Sequence, residues 1–312
     1  MYLFNHFGLN GHPFSLTPDS RLFYDGAERR DILASLTYAI KRGDGVLKIT
    51  GEVGSGKTML CRILLRMLED EEVVAYLNAP PPDRRGILRS LMREFDLDED
   101  EPDRMMETLN RFLLDKHAEG HRVVLFVDEA QALGLDGLET IRLLSNLETD
   151  THKLLQIVLF GQPELDELLK TPGLKQLSQR ITFAFRTRPL GRGETEAYVR
   201  HRLYACSSDG RNDHFTRGAL RLLAIGARGV PRLVNLLADK AMLSAYANNR
   251  GRVTARDVRA AVREGSVVGA RLPWWRAAWL PPAVVTAGLL ALGAVAYGLG
   301  SRMPGAVPDG IL

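Results

Sequence analysis

Eight residues constrain this chain more than any other stretch: Gly51-Glu52-Val53-Gly54-Ser55-Gly56-Lys57-Thr58. They fit the pattern G-x-x-x-x-G-K-[ST], whose meaning depends on what flanks it. Val46-Leu47-Lys48-Ile49-Thr50 reads as a short buried strand, and residues 59–68 read as a helix. Strand, glycine-rich turn and helix N-terminus in that order make a phosphate cradle (P-loop). Glycines let backbone N–H groups curl around phosphate oxygens, and the helix adds the positive end of its dipole. The expected nucleotide contacts are Gly51, Glu52, Val53, Gly54, Ser55, Gly56, Lys57, Thr58 and Met59. Lys57 would reach the β- and γ-phosphates of ATP, and Thr58 would offer its hydroxyl to Mg²⁺. A chance glycine-rich turn is the plainer alternative, and Lys-Thr in register argues against it.

A second stretch answers the first. Arg122-Val123-Val124-Leu125-Phe126-Val127-Asp128-Glu129 runs five apolar residues into two acids, as a strand buried on both faces would. The acids then sit at its carboxyl end, where open α/β sheets bind their ligands. This is a Walker B pattern: Asp128 would hold Mg²⁺ through water, and Glu129 would polarise the attacking water. An Asp-Glu pair capping a strand is weak evidence alone. It gains force by following the P-loop at a distance of about 70 residues.

Around these stretches apolar runs alternate with helical spacing. Residues 73–77, 154–161 and 181–185 read as further strands, the second ending at Gln162 beside the Asp128 edge. Residues 28–41, 105–117 and 138–147 read as helices, and 96–103 as an acidic loop. The fold class expected is α/β: a three-layer parallel-sheet domain with an N-terminal lead-in over residues 1–187. From 188 to 265 the pattern is wholly helical, and Thr254-Ala255-Arg256-Asp257 resembles a capping box with Asp in place of Glu. Cys61 and Cys206 give neither a disulfide framework nor metal-ligand spacing and read as small apolar helix residues. A net charge of +3 over 312 residues is too weak to argue for nucleic acid.

The two ends differ. Residues 1–7 lack a basic start and an apolar run, so no cleaved signal peptide is expected. Residues 280–299 carry no charge, a length that spans a bilayer core of about 30 Å. Trp274, Trp275 and Trp279 sit where an interfacial belt would, although a buried helix has the same composition. The expected plan is a linker at 266–278, a transmembrane helix at 279–300 and a periplasmic tail at 301–312. Arg263, Arg271 and Arg276 precede the span and Arg302 alone follows it, which keeps residues 1–265 in the cytoplasm.

The series resembles the AAA+ ATPases of the general secretion pathway protein A (ExeA) group, with MSHA-type pilus-biogenesis ATPases the nearest branch. The resemblance is carried by Phe7-Gly8-Leu9, Pro13-Phe14-Ser15-Leu16-Thr17-Pro18, the P-loop, and Val127-Asp128-Glu129-Ala130-Gln131. Gly161-Gln162-Pro163-Glu164-Leu165, Gln179-Arg180-Ile181 and Gly229-Val230-Pro231-Arg232 complete it. It implies that residues 188–265 form a lid. It also implies Gln162 as sensor 1, Arg180 as an arginine finger toward a neighbouring subunit's ATP, and Arg232 as sensor 2. Pro13-Phe14 would lie near the adenine. Plainer readings stay open: an edge glutamine, a helix-end arginine, a solvated arginine and a core contact.

The resemblance further implies a homo-oligomer built through the ATP sites, anchored in the bacterial inner membrane by one span. Its partners would be envelope assembly proteins of a pilus or type II secretion system. Secretion-type relatives carry a peptidoglycan-binding domain beyond the span, and the dozen residues after it here favour the pilus branch. Rivals are an exopolysaccharide-export ATPase, a nucleotide-gated scaffold with little hydrolysis, and a DNA-transposition regulator. For the last, Arg84-Arg85 and Arg200-His201-Arg202 supply some basic charge, but a membrane span suits DNA work poorly and nucleic acid is not expected.

Overall fold

The computed structural model describes residues 2–265 apart from 27, 44 and 70. The expected linker, membrane helix and tail lie outside the described residues. Among those described, no helix is long and apolar enough to cross a membrane.

The apolar runs form strands β1 (Val46–Thr50), β2 (Val73–Leu77), β3 (Val123–Val127), β4 (Leu155–Gly161) and β5 (Ile181–Arg186). They lie in the order β2-β3-β4-β1-β5, each neighbouring pair parallel. Parallel neighbours need crossovers, so helices must cover both faces. Strand side chains sort by period two. Val123, Leu125 and Val127 enter one core with helices α4 (Arg84–Glu94), α5 (Pro102–Ala118) and α6 (Gly134–Leu144). Val124 and Phe126 enter the other, with α2 (Arg29–Arg42) and α3 (Lys57–Leu68). β3 and β4 are buried along their whole length, which is why they read as unbroken apolar runs. Helices α7 (Pro163–Leu168) and α8 (Lys175–Arg180) connect β4 to β5.

Beyond β5 come only helices: α9 (Arg192–Cys206), α10 (Arg217–Ala227), α11 (Pro231–Ala247) and α12 (Ala255–Gly265). The junction is pinned by Arg188. Its Nε donates to Glu28 Oε1 at 2.8 Å, and its Nη1 and Nη2 donate to the Glu194 carboxylate at 2.7 and 2.8 Å. Glu194 also accepts from the Gly191 N–H at 2.6 Å, capping α9.

Several boundaries depart from the sequence expectation. The lead-in begins with a helix, α1 (Tyr2–His6), and its apolar residues Phe7, Leu9 and Phe14 are buried against the helical part. Phe14 meets Phe215 edge-to-face at 6.0 Å, and Phe7 O lies 2.8 Å from His214 Nε2. Helix α6 starts four residues earlier than its apolar spacing suggests, because Gly134 with φ +61° turns a preceding 3₁₀ segment into it. Helix α5 takes up the end of the acidic loop, since a proline at its first turn lets it start there. The 254–257 cap is only half a capping box. Asp257 accepts from the Thr254 N–H at 2.9 Å, but the Thr254 hydroxyl donates to Asp257 at 2.7 Å instead of accepting from the backbone.

Candidate functional site

At the carboxyl end of β1 the chain passes under Thr187. Thr187 donates its N–H to Thr50 O at 2.8 Å and its hydroxyl to Ser55 Oγ at 2.8 Å. A Cβ on Gly51 would fall 1.8 Å from Thr187 Oγ1, so only glycine fits there. Gly54 (φ +78°) and Gly56 (φ +101°) hold left-handed conformations that complete the loop. Gly54 O also accepts from the Arg232 N–H at 3.2 Å, which binds the loop to the start of α11. Lys57 is the first residue of α3, and its side chain is only 5% exposed. Its Nζ donates to Gly51 O at 2.7 Å and to Glu52 O at 3.1 Å. Burial lowers the Lys57 pKa, against the raising charges of Glu129 and Asp128.

At the end of β3, Asp128 is 1% exposed. Its N–H donates to Leu77 O at 2.9 Å, and its carboxylate accepts from the Glu129 N–H at 2.9 Å and from Tyr76 Oη at 3.4 Å. Glu129 takes a left-handed backbone (φ +50°), which for a non-glycine costs about 1–3 kcal/mol. The turn aims its carboxylate at two amides. Glu129 Oε2 accepts from Gln131 Nε2 at 2.6 Å and from Gln162 Nε2 at 2.9 Å. Gln131 Oε1 in turn accepts from the Gln162 N–H at 2.9 Å. Burial pushes the Glu129 carboxyl up, but these hydrogen bonds and the Lys57 charge outweigh it, leaving the pKa below the usual value. In the sequence Gln131 carries part of the family resemblance but no chemical role of its own. Its contacts depend on the 3₁₀ segment Ala130–Leu133, which folds it back over its neighbour.

These pieces wall a cavity of about 340 Å³ between the sheet edge and the helical part. Val53 through Met59, Glu129 and Arg232 line it. Gly51, Glu52, Asp128 and Gln162 are not among the lining residues; Gln162 reaches the wall through Glu129. Pro13 and Phe14 do not line the cavity either, and Phe14 is a core contact at 1% exposure; Ser15 through Pro18 form that wall. Tyr198, Arg202 and Asn235 continue that wall, Arg202 Nη2 donating to Ser15 O at 3.3 Å. Tyr198 donates its hydroxyl to Asn235 Oδ1 at 2.9 Å and accepts from Arg202 Nη1 at 3.0 Å. Arg202 Nε reaches Pro13 O, so the lead-in is stapled to the helical part. Arg29 lines the cavity as well, a residue that helical spacing alone does not mark.

Arg180 is elsewhere. It ends α8 just before Ile181, which pairs with Val46 at the start of β1. The P-loop leaves the other end of β1, roughly 16 Å away at the strand rise per residue. Arg180 Nη1 donates to Ser145 O at 2.8 Å. Cys61 and Cys206 are both buried, as small apolar residues on α3 and α9.

Residues 40–169 match the AAA domain family. General secretion pathway protein A of Aeromonas hydrophila is 40% identical over 271 residues, covering 86% of this chain and 49% of that protein. The chain thus spans about half the length of this curated relative. In fold, the chain is similar to the Aeropyrum pernix ORC2 protein solved in ADPNP-ADP complexes, with TM-score 0.64, 18% identity, and coverage of 85% of this chain and 74% of that one. It is also similar to Cdc6p from Pyrobaculum aerophilum, with TM-score 0.63, 20% identity, and 84% and 74% coverage. With the P-loop and the parallel five-stranded order, residues 40–169 are an AAA domain, in a chain similar to general secretion pathway protein A over 86% of its length.

Proposed function

We propose that the chain binds ATP with Mg²⁺ in this cavity, hydrolyses it, and serves as a membrane-anchored motor for assembling a bacterial envelope machine. The observation that carries the reading is the convergence of the P-loop, Glu129 and Arg232 on one cavity. The donor set fits the cofactor. Mg²⁺ needs one or two carboxylates plus nucleotide phosphates, not an all-protein cage, and among the described residues no cluster of three potential ligands occurs. Thr58 and Asp128 would hold the ion, which when bound neutralises charge on the β- and γ-phosphate oxygens. Lys57 grips those phosphates. Glu129 takes a proton from the attacking water as its oxygen bonds to the γ-phosphorus and ADP leaves with the bridging electrons. Gln162 orients that water, and Arg232 senses the nucleotide from the lid, residues 188–265.

The anchor is the apolar segment 279–300, crossing the inner membrane once after the linker 266–278, with residues 1–265 cytoplasmic and the tail 301–312 periplasmic. The name of the curated relative supports a secretion assembly.

Two substitutions test the chemistry. Lys57→Ala removes a buried charged donor and is expected to weaken ATP at least about tenfold. Glu129→Gln is expected to bind ATP as tightly as wild type while turnover falls about 10²–10⁴-fold, the usual contribution of a general base. Wild-type turnover in Glu129→Gln would show that another group activates water.

A further inference from the structure

Of the two buried arginines lining the cavity, Arg29 and Arg202, Arg29 is the one whose surroundings leave it incomplete. It opens α2, is 8% exposed, and reaches back to the P-loop. A guanidinium has five N–H donors and no acceptor. Arg29 uses one: Nη2 donates to Ser55 O at 3.1 Å. Among the described residues that is its only hydrogen bond, and it forms no ion pair. Burial lowers the Arg29 pKa below the ordinary arginine value, although Tyr198 and the Glu194 charge, neither of them bonded to the guanidinium, pull the other way. Arg202 is the instructive contrast. It is buried to 4% exposure, but Pro13 O, Ser15 O and Tyr198 Oη take its donors, so it is a staple.

Position says what completes Arg29. Its Nε lies 3.9 Å from where a Gly56 Cβ would stand, and Gly56 is the N-cap residue of α3. The Nε–H, which no described residue accepts, therefore lies beside the helix N-terminus at which an anion gains most. Glu129 is the sole acid among the described lining residues, already held by two glutamine amides, so the cavity carries a surplus of positive charge.

We infer that Arg29 is a phosphate-binding residue of this site, gripping the polyphosphate of its own subunit's nucleotide beside Ser55 and Gly56. The planar fork suits a phosphate, which accepts two parallel N–H bonds. The Ser55 contact gives Arg29 a second effect: it holds the loop in shape before the phosphate arrives. The inference rests on the nucleotide-binding reading above.

The experiment is titration of the full chain and two variants, Arg29→Gln and Arg29→Lys, with ADP and ATP. Arg29→Gln is expected to bind both at least about tenfold more weakly, as for loss of a charged hydrogen bond. Arg29→Lys restores the charge without the fork and is expected to fall between, about threefold weaker than wild type. Both variants should melt near wild type when no nucleotide is added. Wild-type affinity in Arg29→Gln overturns the inference, and so does Arg29→Lys binding as weakly as Arg29→Gln, because charge would then not matter. If Arg29→Gln does not fold, Arg29→Lys decides alone, and undiminished affinity in it refutes the assignment. A wild-type chain that binds neither nucleotide would instead sink the nucleotide reading and leave Arg29 without this role.

Discussion

Glu129 shows how much one residue's chemistry depends on its neighbours. Its left-handed backbone is unfavourable by itself, and two amides on one carboxylate oxygen offset that cost. Gln131 is the pivot, because it holds the carboxylate with its nitrogen and the Gln162 backbone with its oxygen. Replacing it with methionine keeps the volume and removes both bonds. In Gln131→Met the base should wander, so kcat is expected to fall about tenfold or more while nucleotide affinity stays within about twofold. Steady-state kinetics beside a binding titration checks this, and equal losses in both would mean that the substitution disturbs the whole site. The sequence offers Gln131 as the end of a family motif, with no sign of what it touches. Its role depends on a 3₁₀ turn whose path no spacing rule describes.

At the scale of elements, the sequence is informative where periodicity is strong. The five strands fall within a residue or so of where apolar runs put them, and the P-loop needs nothing beyond its flanking strand and helix. It is uninformative where contacts are long-range: the order β2-β3-β4-β1-β5, the docking of the lead-in on the helical part, and the burial of Arg29. The α9 entrance is of this second kind. Arg188 ties Glu28 ahead of α2 to Glu194 in α9, so one arginine joins three chain segments. Hydrogen bonds from Arg188, then that from the Gly191 N–H, pull the Glu194 carboxyl down to about 2. A carboxyl unfolds to about 4.3. Its folded pKa is the lower, so its stabilisation is complete above about pH 4.3 and is lost as pH falls toward about 2. Melting curves of wild type and Glu194→Gln should therefore differ at neutral pH and converge across that window. The gap should be small and shrink with salt, because Arg188 is nearly half exposed. Curves that stay parallel down to pH 2 would remove Glu194 from the account.

For the whole molecule the decisive fact is a separation. Arg180 stands at the opening ends of the strands, and the cavity stands at their closing ends. No rotamer of one arginine bridges a whole strand, so Arg180 cannot serve the ATP site of its own chain. If it acts as a finger, it must enter the site of a second copy, which makes oligomerisation a condition of turnover rather than an accessory. A finger contributes about 10³–10⁵ to turnover in GTPases, so Arg180→Ala should be nearly inactive while binding ATP normally. Mixing provides the stricter test. Arg180→Ala subunits keep an intact cavity, and Lys57→Ala subunits keep an intact arginine. A mixed assembly brings the two together, so activity should rise from near zero to a maximum at intermediate ratios and fall again at either extreme. Failure at every ratio, with both variants still assembling by light scattering, would leave Arg180 as a helix-end arginine tied to Ser145. Activity that appears without any assembly would count against the trans arrangement just as firmly, because a lone chain cannot bring its own arginine to its own phosphate.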